Sequence, residues 1–325
     1  EELALESELS PILMGVEGNQ RGSTLATVGD VDGDGLVEVA LGIGQANGGA
    51  GQVLILFFNP DGTLASSTSI DSSSGGALGS IQSGDAFGAG IVGVGDVNGD
   101  GIGDLVVGAP GDDDGGTDQG AIYLLHLNAD GTVQAGVKLS ETAGGGFPSQ
   151  ALNTGNFGHG VTALDDLDSD GLPELAVAAQ IAGEEGLFVL FVDAFGQVVA
   201  DQPIAEGIGG FAADLDARDG FGNSLARVTD LDGDGVDELA VGAPGDDDGG
   251  PERGAVYLLS LAADGQVKTT TKISDPDAGQ GLDLGLADGD GFGTSLAQLG
   301  LLDPDQSGDL AVGAAGASIS GPERG

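Results

Sequence analysis

The sequence predicts an all-β chain, a β-propeller of four-stranded antiparallel blades, and three observations carry that expectation. A phrase of fixed order returns five times along the chain: a Phe-Gly pair, an acidic loop, then a small-residue strand end. Short apolar runs bounded by turn residues alternate with these loops, and no apolar pattern keeps a helical period for a convincing length. Glycine supplies 65 of 325 residues without any G-X-Y period, as a chain of many tight turns requires. Such self-similarity means like supersecondary units, each needing its neighbours to bury its apolar faces.

The second repeat parses most cleanly. After Phe87-Gly88, residues Gly90 to Gly95 form a first strand leading into the acidic loop. Leu105 to Ala109 is a second strand, Ala121 to Leu127 a third, and Thr132 to Leu139 a fourth. Asp130-Gly131 marks the last hairpin, because both positions tolerate positive φ; Asp61-Gly62 and Asp264-Gly265 mark the same turn elsewhere. Four short antiparallel strands per repeat make a propeller blade. The repeats span about 19–70, 87–140, 157–204, 221–274 and 292–325, a single array over 1–325. Linkers of roughly 16 residues, such as 275–291, join them and read as loops without structure of their own. The last repeat is incomplete: Gly321 to Gly325 duplicates Gly250 to Gly254 and stops before an expected third strand. Residues 1–10 read as the outer strand of a split or preceding blade, since Leu3 to Ser10 aligns with Val267 to Ser274. Either the sequence is a piece of a longer chain, or an incomplete blade or a neighbouring molecule closes the array. An open sheet edge, a liability that proteins cover, favours the piece.

Charge narrows the function. Fifty-three acids face eight bases, a net charge of −45. Nucleic acid is excluded as a partner because nothing here neutralises phosphates, and an anionic membrane surface is excluded likewise. The longest apolar runs, Val53 to Phe58 and Leu187 to Val192, are far too short to span a bilayer, so no membrane insertion is expected of this segment. So acidic a surface attracts cations and suits a saline or calcium-rich setting, hence an extracellular or cell-surface localisation. Cysteine is absent and reports nothing about redox compartment.

In the second repeat, Phe87-Gly88 precedes Asp96-Val-Asn98-Gly-Asp100-Gly-Ile-Gly-Asp104 and Gly108-Ala109-Pro110; in the fourth, Phe221-Gly222 precedes Asp230-Leu-Asp232-Gly-Asp234-Gly-Val-Asp237-Glu238 and Gly242-Ala243-Pro244. At these residues the chain resembles the FG-GAP repeat family, the blades of the integrin α-subunit propeller, over about 19–325. The resemblance implies a propeller with Ca²⁺ in the hairpin between the first and second strands of a blade. The first repeat departs from the pattern with Arg21-Gly22, the third with Ala178-Ala179-Gln180, and the fifth with Gly313-Ala314-Ala315.

The loops also read as cages on their own chemistry. Ca²⁺ takes six to eight oxygens, and acids at positions one, three and five converge when a glycine at six permits the turn. A carbonyl at seven and an acid at nine complete the set. The first site is then Asp30, Asp32, Asp34, the Leu36 carbonyl and Glu38; the second is Asp96, Asn98, Asp100, the Ile102 carbonyl and Asp104. The third is Asp166, Asp168, Asp170, the Leu172 carbonyl and Glu174; the fourth is Asp230, Asp232, Asp234, the Val236 carbonyl and Glu238. About four structural Ca²⁺ ions are expected. Glutamate at position nine departs from the family's usual aspartate. The fifth loop, 301–309, has lost the first acid and the turn glycine and is expected to bind weakly or not at all. The alternative is a set of polar Asx turns needing no metal.

By hairpin parity the connections between second and third strands lie at the opposite end of each blade. They carry Asp112-Asp113-Asp114 and Asp246-Asp247-Asp248, near linker acids Asp214, Asp216, Asp219, Asp283, Asp288 and Asp290. This end reads either as a partner surface, by resemblance, or as a solvated acidic rim. His159 and His126 read as strand packing, the Phe-Gly phenylalanines as blade-to-blade core, and no acid–base constellation stands out. The functional expectation is a calcium-binding extracellular adhesion or protein-interaction scaffold, not an enzyme, binding a protein or cell-surface ligand or self-associating. The rival readings are a subunit of an extracellular filament or matrix built by blade complementation and, behind it, a polysaccharide-acting propeller enzyme.

Overall fold

The computed structural model describes residues 24–143, 155–216, 218–275, 284–300 and 308–317. The expected strand at 3–10, Arg21-Gly22, Asp283, residues 301–307 and the duplicated 321–325 lie outside them. The fold is an all-β propeller of four-stranded antiparallel blades. The first blade is β1 (Thr24–Gly29), β2 (Glu38–Gly42), β3 (Val53–Phe58) and β4 (Leu64–Ile70). The second is β5 (Ile91–Gly95), β6 (Asp104–Ala109), β7 (Ala121–Leu127) and β8 (Val133–Ser140). The third is β9 (Val161–Ala163), β10 (Leu175–Ile181), β11 (Glu184–Val192) and β12 (Val198–Ala205). The fourth is β13 (Ser224–Val228), β14 (Glu238–Ala243), β15 (Ala255–Leu261) and β16 (Val267–Ser274). In each blade the strands lie in chain order, and β17 (Phe292–Gly300) and β18 (Asp309–Ala314) form a two-stranded sheet.

Strand ends shift from expectation for local reasons. The β6 strand starts one residue early because Asp104 already pairs with Gly95 across a register shift. The β8 strand starts one residue late because the Asp130 carboxylate accepts the Thr132 amide (3.0 Å), keeping Thr132 in the turn. The linker after β4 is also not structureless. It holds 3₁₀ turns at Ser72–Ser74 and Gly76–Ser80, the first closed by a reciprocal Asp71–Ser74 capping box. His159 precedes β9 instead of packing within it, and its Nδ1 meets the Asn156 carbonyl at 3.0 Å.

The chain forms two compact units, Glu1–Ala163 with Leu190–Asp201, and Leu164–Val189 with Gln202–Gly325. In the first unit, β1 packs beside β5 and β5 beside β9, so successive first strands adjoin. Its core joins Val53, Ile55 and Phe57 of β3 to Phe87, Leu105, Val107, Tyr123, Leu125 and Leu127 of the next repeat. In the second unit β13 packs beside β17, and Phe211, Phe221 and Tyr257 form an aromatic cluster with ring centroids 4.8–5.7 Å apart.

The Phe-Gly pairs sew repeat to repeat. The amides of Phe87 and Phe157 donate to the carbonyls of Ala50 and Gln119 (3.0 and 3.1 Å), and parallel bridges link Gly51 to Phe87 and Gly120 to Phe157. Phe292 does the same to Arg253 and Gly254. The rings of Phe87, Phe157 and Phe221 are buried, as the blade-core reading expected. Phe221 differs in its amide, which the Glu185 carboxylate accepts at 2.8 Å. The seam needs glycine: Gly120 has φ +88°, and a Cβ there would lie 2.2 Å from the Phe157 carbonyl oxygen.

Gly120→Ala should therefore cost about 3 kcal/mol, overpacking added to left-handed strain. Gly62→Ala, at φ +81° with open space around it, should cost about 1 kcal/mol. Urea unfolding of both variants checks the difference; equal costs would contradict a steric seam.

Candidate metal centres

The first four acidic loops are bent by nearly the same bonds, read straight from their residue order. The first aspartate gathers two glycine amides: Gly33 and Gly35 donate to Asp30 (2.8 and 3.0 Å), and Gly233 and Gly235 to Asp230 (2.6 and 2.8 Å). Gly99 and Gly101 donate likewise to Asp96 (2.7 and 2.8 Å), and Gly171 donates to Asp166 (2.9 Å). The fifth-position carboxylate accepts the seventh-position amide, Leu36, Ile102, Leu172 or Val236, at 2.8–2.9 Å. The ninth acid turns back onto the second-position amide. Val31 donates to Glu38 (2.6 Å), Val97 to Asp104 (3.1 Å), Leu167 to Glu174 (2.5 Å) and Leu231 to Glu238 (2.6 Å).

The outcome is a buried acid beneath exposed ones. Glu38, Asp104, Glu174 and Glu238 are buried, while Asp32, Asp34, Asp168, Asp170, Asp232 and Asp234 are exposed. Carboxylate oxygens of Asp166, Asp168, Asp170 and Glu174 lie within 4.8 Å of one another. So do those of Asp30, Asp32 and Glu38, and those of Asp230, Asp232 and Asp234. Asp34 and Glu238 stand outside those groupings, and Asp96, Asp100 and Asp104 form none. The second loop differs because its ninth acid is short and engaged: Asp104 Oδ2 lies 2.9 Å from His126 Nδ1, and Oδ1 accepts the Leu127 amide at 3.3 Å. His126 is thus a partner of the loop rather than simple strand packing. The spacing within the loop gave no sign of it, because His126 arrives on the third strand.

Burial, and then the neighbouring aspartates, push the Glu174 carboxyl up to about 7 and raise Glu38 and Glu238 in the same sense. Glu238 Oε1 is buried with no hydrogen-bond partner. An orphaned buried oxygen beneath exposed carboxylates fits a hard cation, and an all-oxygen donor set suits Ca²⁺. Asp30, Asp32 and Glu38; Asp166, Asp168, Asp170 and Glu174; and Asp230, Asp232 and Asp234 are the groups that would hold it, with the unpartnered Glu238 on the same loop as the last.

The opposite end is solvated at Asp113, Asp214, Asp216, Asp247, Asp248 and Asp288 but not throughout. Asp112 and Asp246 are buried. Lys138 Nζ lies 2.8 Å from Asp112 and 2.7 Å from Asp114; Lys272 Nζ lies 2.5 Å from Asp246 and 2.6 Å from Asp248. The hydroxyls of Tyr123 and Tyr257 donate to Asp112 and Asp246 (3.3 and 3.1 Å). Beside the second cluster, burial pushes the Asp219 carboxyl up to about 6. Triplet, lysine and tyrosine lie far apart in sequence, so the acid runs alone read as surface.

The chain carries FG-GAP repeats: that family matches residues 21–56, 87–125 and 221–259. Over about half of its length it is also similar to integrin α subunits. It is 33% identical over 185 residues to Integrin alpha-PS5 of Drosophila melanogaster, covering 54% of this chain and 16% of that protein. It is 32% identical to Phosphatidylinositol-glycan-specific phospholipase D of Bos taurus (50% of this chain, 19% of that protein) and 33% to Integrin alpha-V of Gallus gallus (47% and 14%). The chain spans less than a fifth of the length of these relatives. Among solved structures, rhamnogalacturonan lyase YesW aligns at 18% identity and TM-score 0.41, covering 93% of this chain and 60% of its own. The V. cholerae biofilm matrix protein Bap1 aligns at 19% and 0.31, covering 78% and 40%. Likeness at these scores carries no argument about activity.

Two outcomes are expected. Glu174 and Asp219 bind protons in the folded state that the unfolded chain releases. Metal-free protein should therefore gain stability as pH falls from 8 through about 7 and 6, until the unfolded carboxyls also protonate near ~4. Melting in chelator across this range checks it; stability rising toward pH 8 would contradict it. Lys138→Met strands two carboxylates around a buried site and should cost about 3 kcal/mol, read from urea unfolding.

Proposed function

We propose that this chain is a calcium-stapled adhesion or protein-interaction module working outside the cell or at its surface, with no catalytic role. The integrin relatives support the module class. The observation that carries calcium is the buried ninth-position glutamate beneath exposed aspartates, with Glu238 Oε1 left unpartnered. Ca²⁺, when bound, would supply the positive charge on which the loop's carboxylate oxygens converge. The loop residues do the rest: Asp30, Asp166 and Asp230 fix the turn, and the ninth acid ties it to the start of the second strand.

A non-catalytic role is supported by what the histidines already do, His126 meeting Asp104 and His159 the Asn156 carbonyl. Among the described residues, no helix is long and apolar enough to cross a membrane. The partner is expected to be a protein or cell-surface ligand.

Calorimetric titration of chelator-stripped protein should show about four ions, one at each of the three grouped loops and one at the second loop, whose acids would have to draw together on binding. Each should add about 2.7 kcal/mol of stability at a calcium level of ~100 Kd, with a large rise in melting temperature. A folded protein that binds no calcium and melts identically in chelator would overturn the reading.

A further inference from the structure

The loops are built alike, yet what approaches them from the fourth strand is not. In the second and fourth blades, the second residue of the fourth strand reaches the fifth-position aspartate. Gln134 Nε2 lies 3.4 Å from Asp100 Oδ2. Lys268 Nζ forms an ion pair with Asp234 Oδ2. The first blade has Ala65 at this place, and the third repeat has Val199 by sequence. The geometry is common to these blades because the same register shift, opposite Phe57/Phe58, His126/Leu127 and Ser260/Leu261, leaves this residue without a cross-strand partner each time.

We propose that this position sets each loop's affinity for calcium, and that Lys268 is a tethered counter-ion competing with Ca²⁺ at the fourth loop. The inference rests on reading the loops as calcium cages and adds how one of them is graded. Lys268 faces Asp234 first, then Asp232 and Glu238, so its ammonium serves the same carboxylates a calcium ion would. Ser260 also donates to Asp232 Oδ2 (3.0 Å), engaging a second ligand of that loop. Lys268 differs from Lys138, whose side chain keeps 12% of its exposure; Lys268 keeps 36%. An exposed pair is weak and screened by salt. Calcium displaces it at modest cost, and the loop fills only at higher calcium than its neighbours. The first loop, with a methyl group at the same position, has no such competitor there.

The test is calcium calorimetry at low and moderate salt on the whole chain, with metal-free melting curves to show that each variant folds. Wild type should show one site weaker than the rest, and Asp232→Asn should remove that site. Lys268→Met should tighten it about fivefold, the worth of an exposed ion pair of ~1 kcal/mol, with the number of ions unchanged. Ala65→Lys should weaken one other site by a similar factor. A Lys268→Met isotherm superimposable on wild type, with ions still binding, would overturn this inference and leave the calcium reading standing. No calcium heat from wild type at all would overturn the calcium reading itself, and this inference with it.

Discussion

A buried carboxylate needs a positive partner or a proton, and a chain with 53 acids and eight bases cannot supply a cationic side chain each time. That imbalance shapes both loop-bearing ends of a blade. Where strands two and three connect, Lys138 and Lys272 sit permanently between paired aspartates, with a tyrosine hydroxyl on the buried oxygen. Where strands one and two connect, Glu38, Glu174 and Glu238 are buried, and the backbone amide of the second loop residue is their fixed donor. An amide is half an answer for a carboxylate, since it satisfies one oxygen and leaves the net charge. The other half is a proton, which burial favours at Glu174, or a cation under the calcium reading proposed above.

Architecture was legible in the sequence because it is written locally. Asp-Gly turns, alternating short runs and repeated Phe-Gly pairs each encode a piece whose geometry depends on residues a few places apart. The third strand of the second blade falls at Ala121–Leu127, where its apolar run places it. Strand ends moved where a single side chain decided them, as Asp130 does for Thr132. The capping box at Asp71–Ser74 lay hidden in a serine run that reads as plain loop.

The candidate centres were legible only in part. Ligand order and the turn glycines lie within nine consecutive residues and show in the sequence. Their differences do not, because His126, Gln134, Ser260 and Lys268 reach the loops from strands 22 to 36 residues away. The lysine clusters were missed for the same reason: Lys138 and Asp112 stand far apart in the chain and meet only because β8 lies beside β7. Long-range pairing in a sheet follows register, which one residue of slip would reverse.

The seam at the Phe-Gly pairs has a consequence for how such arrays change over time. At Phe87, Phe157 and Phe292 its bonds run from main-chain amide to main-chain carbonyl, with glycine clearing the way. A joint made of backbone does not record which neighbour it was made for. Whereas the repeat at Phe221 depends on the Glu185 side chain of its neighbour, repeats joined through backbone present like edges to one another. Gain, loss or exchange of whole repeats in the gene thus leaves the junctions intact, while the loops at either end diverge independently.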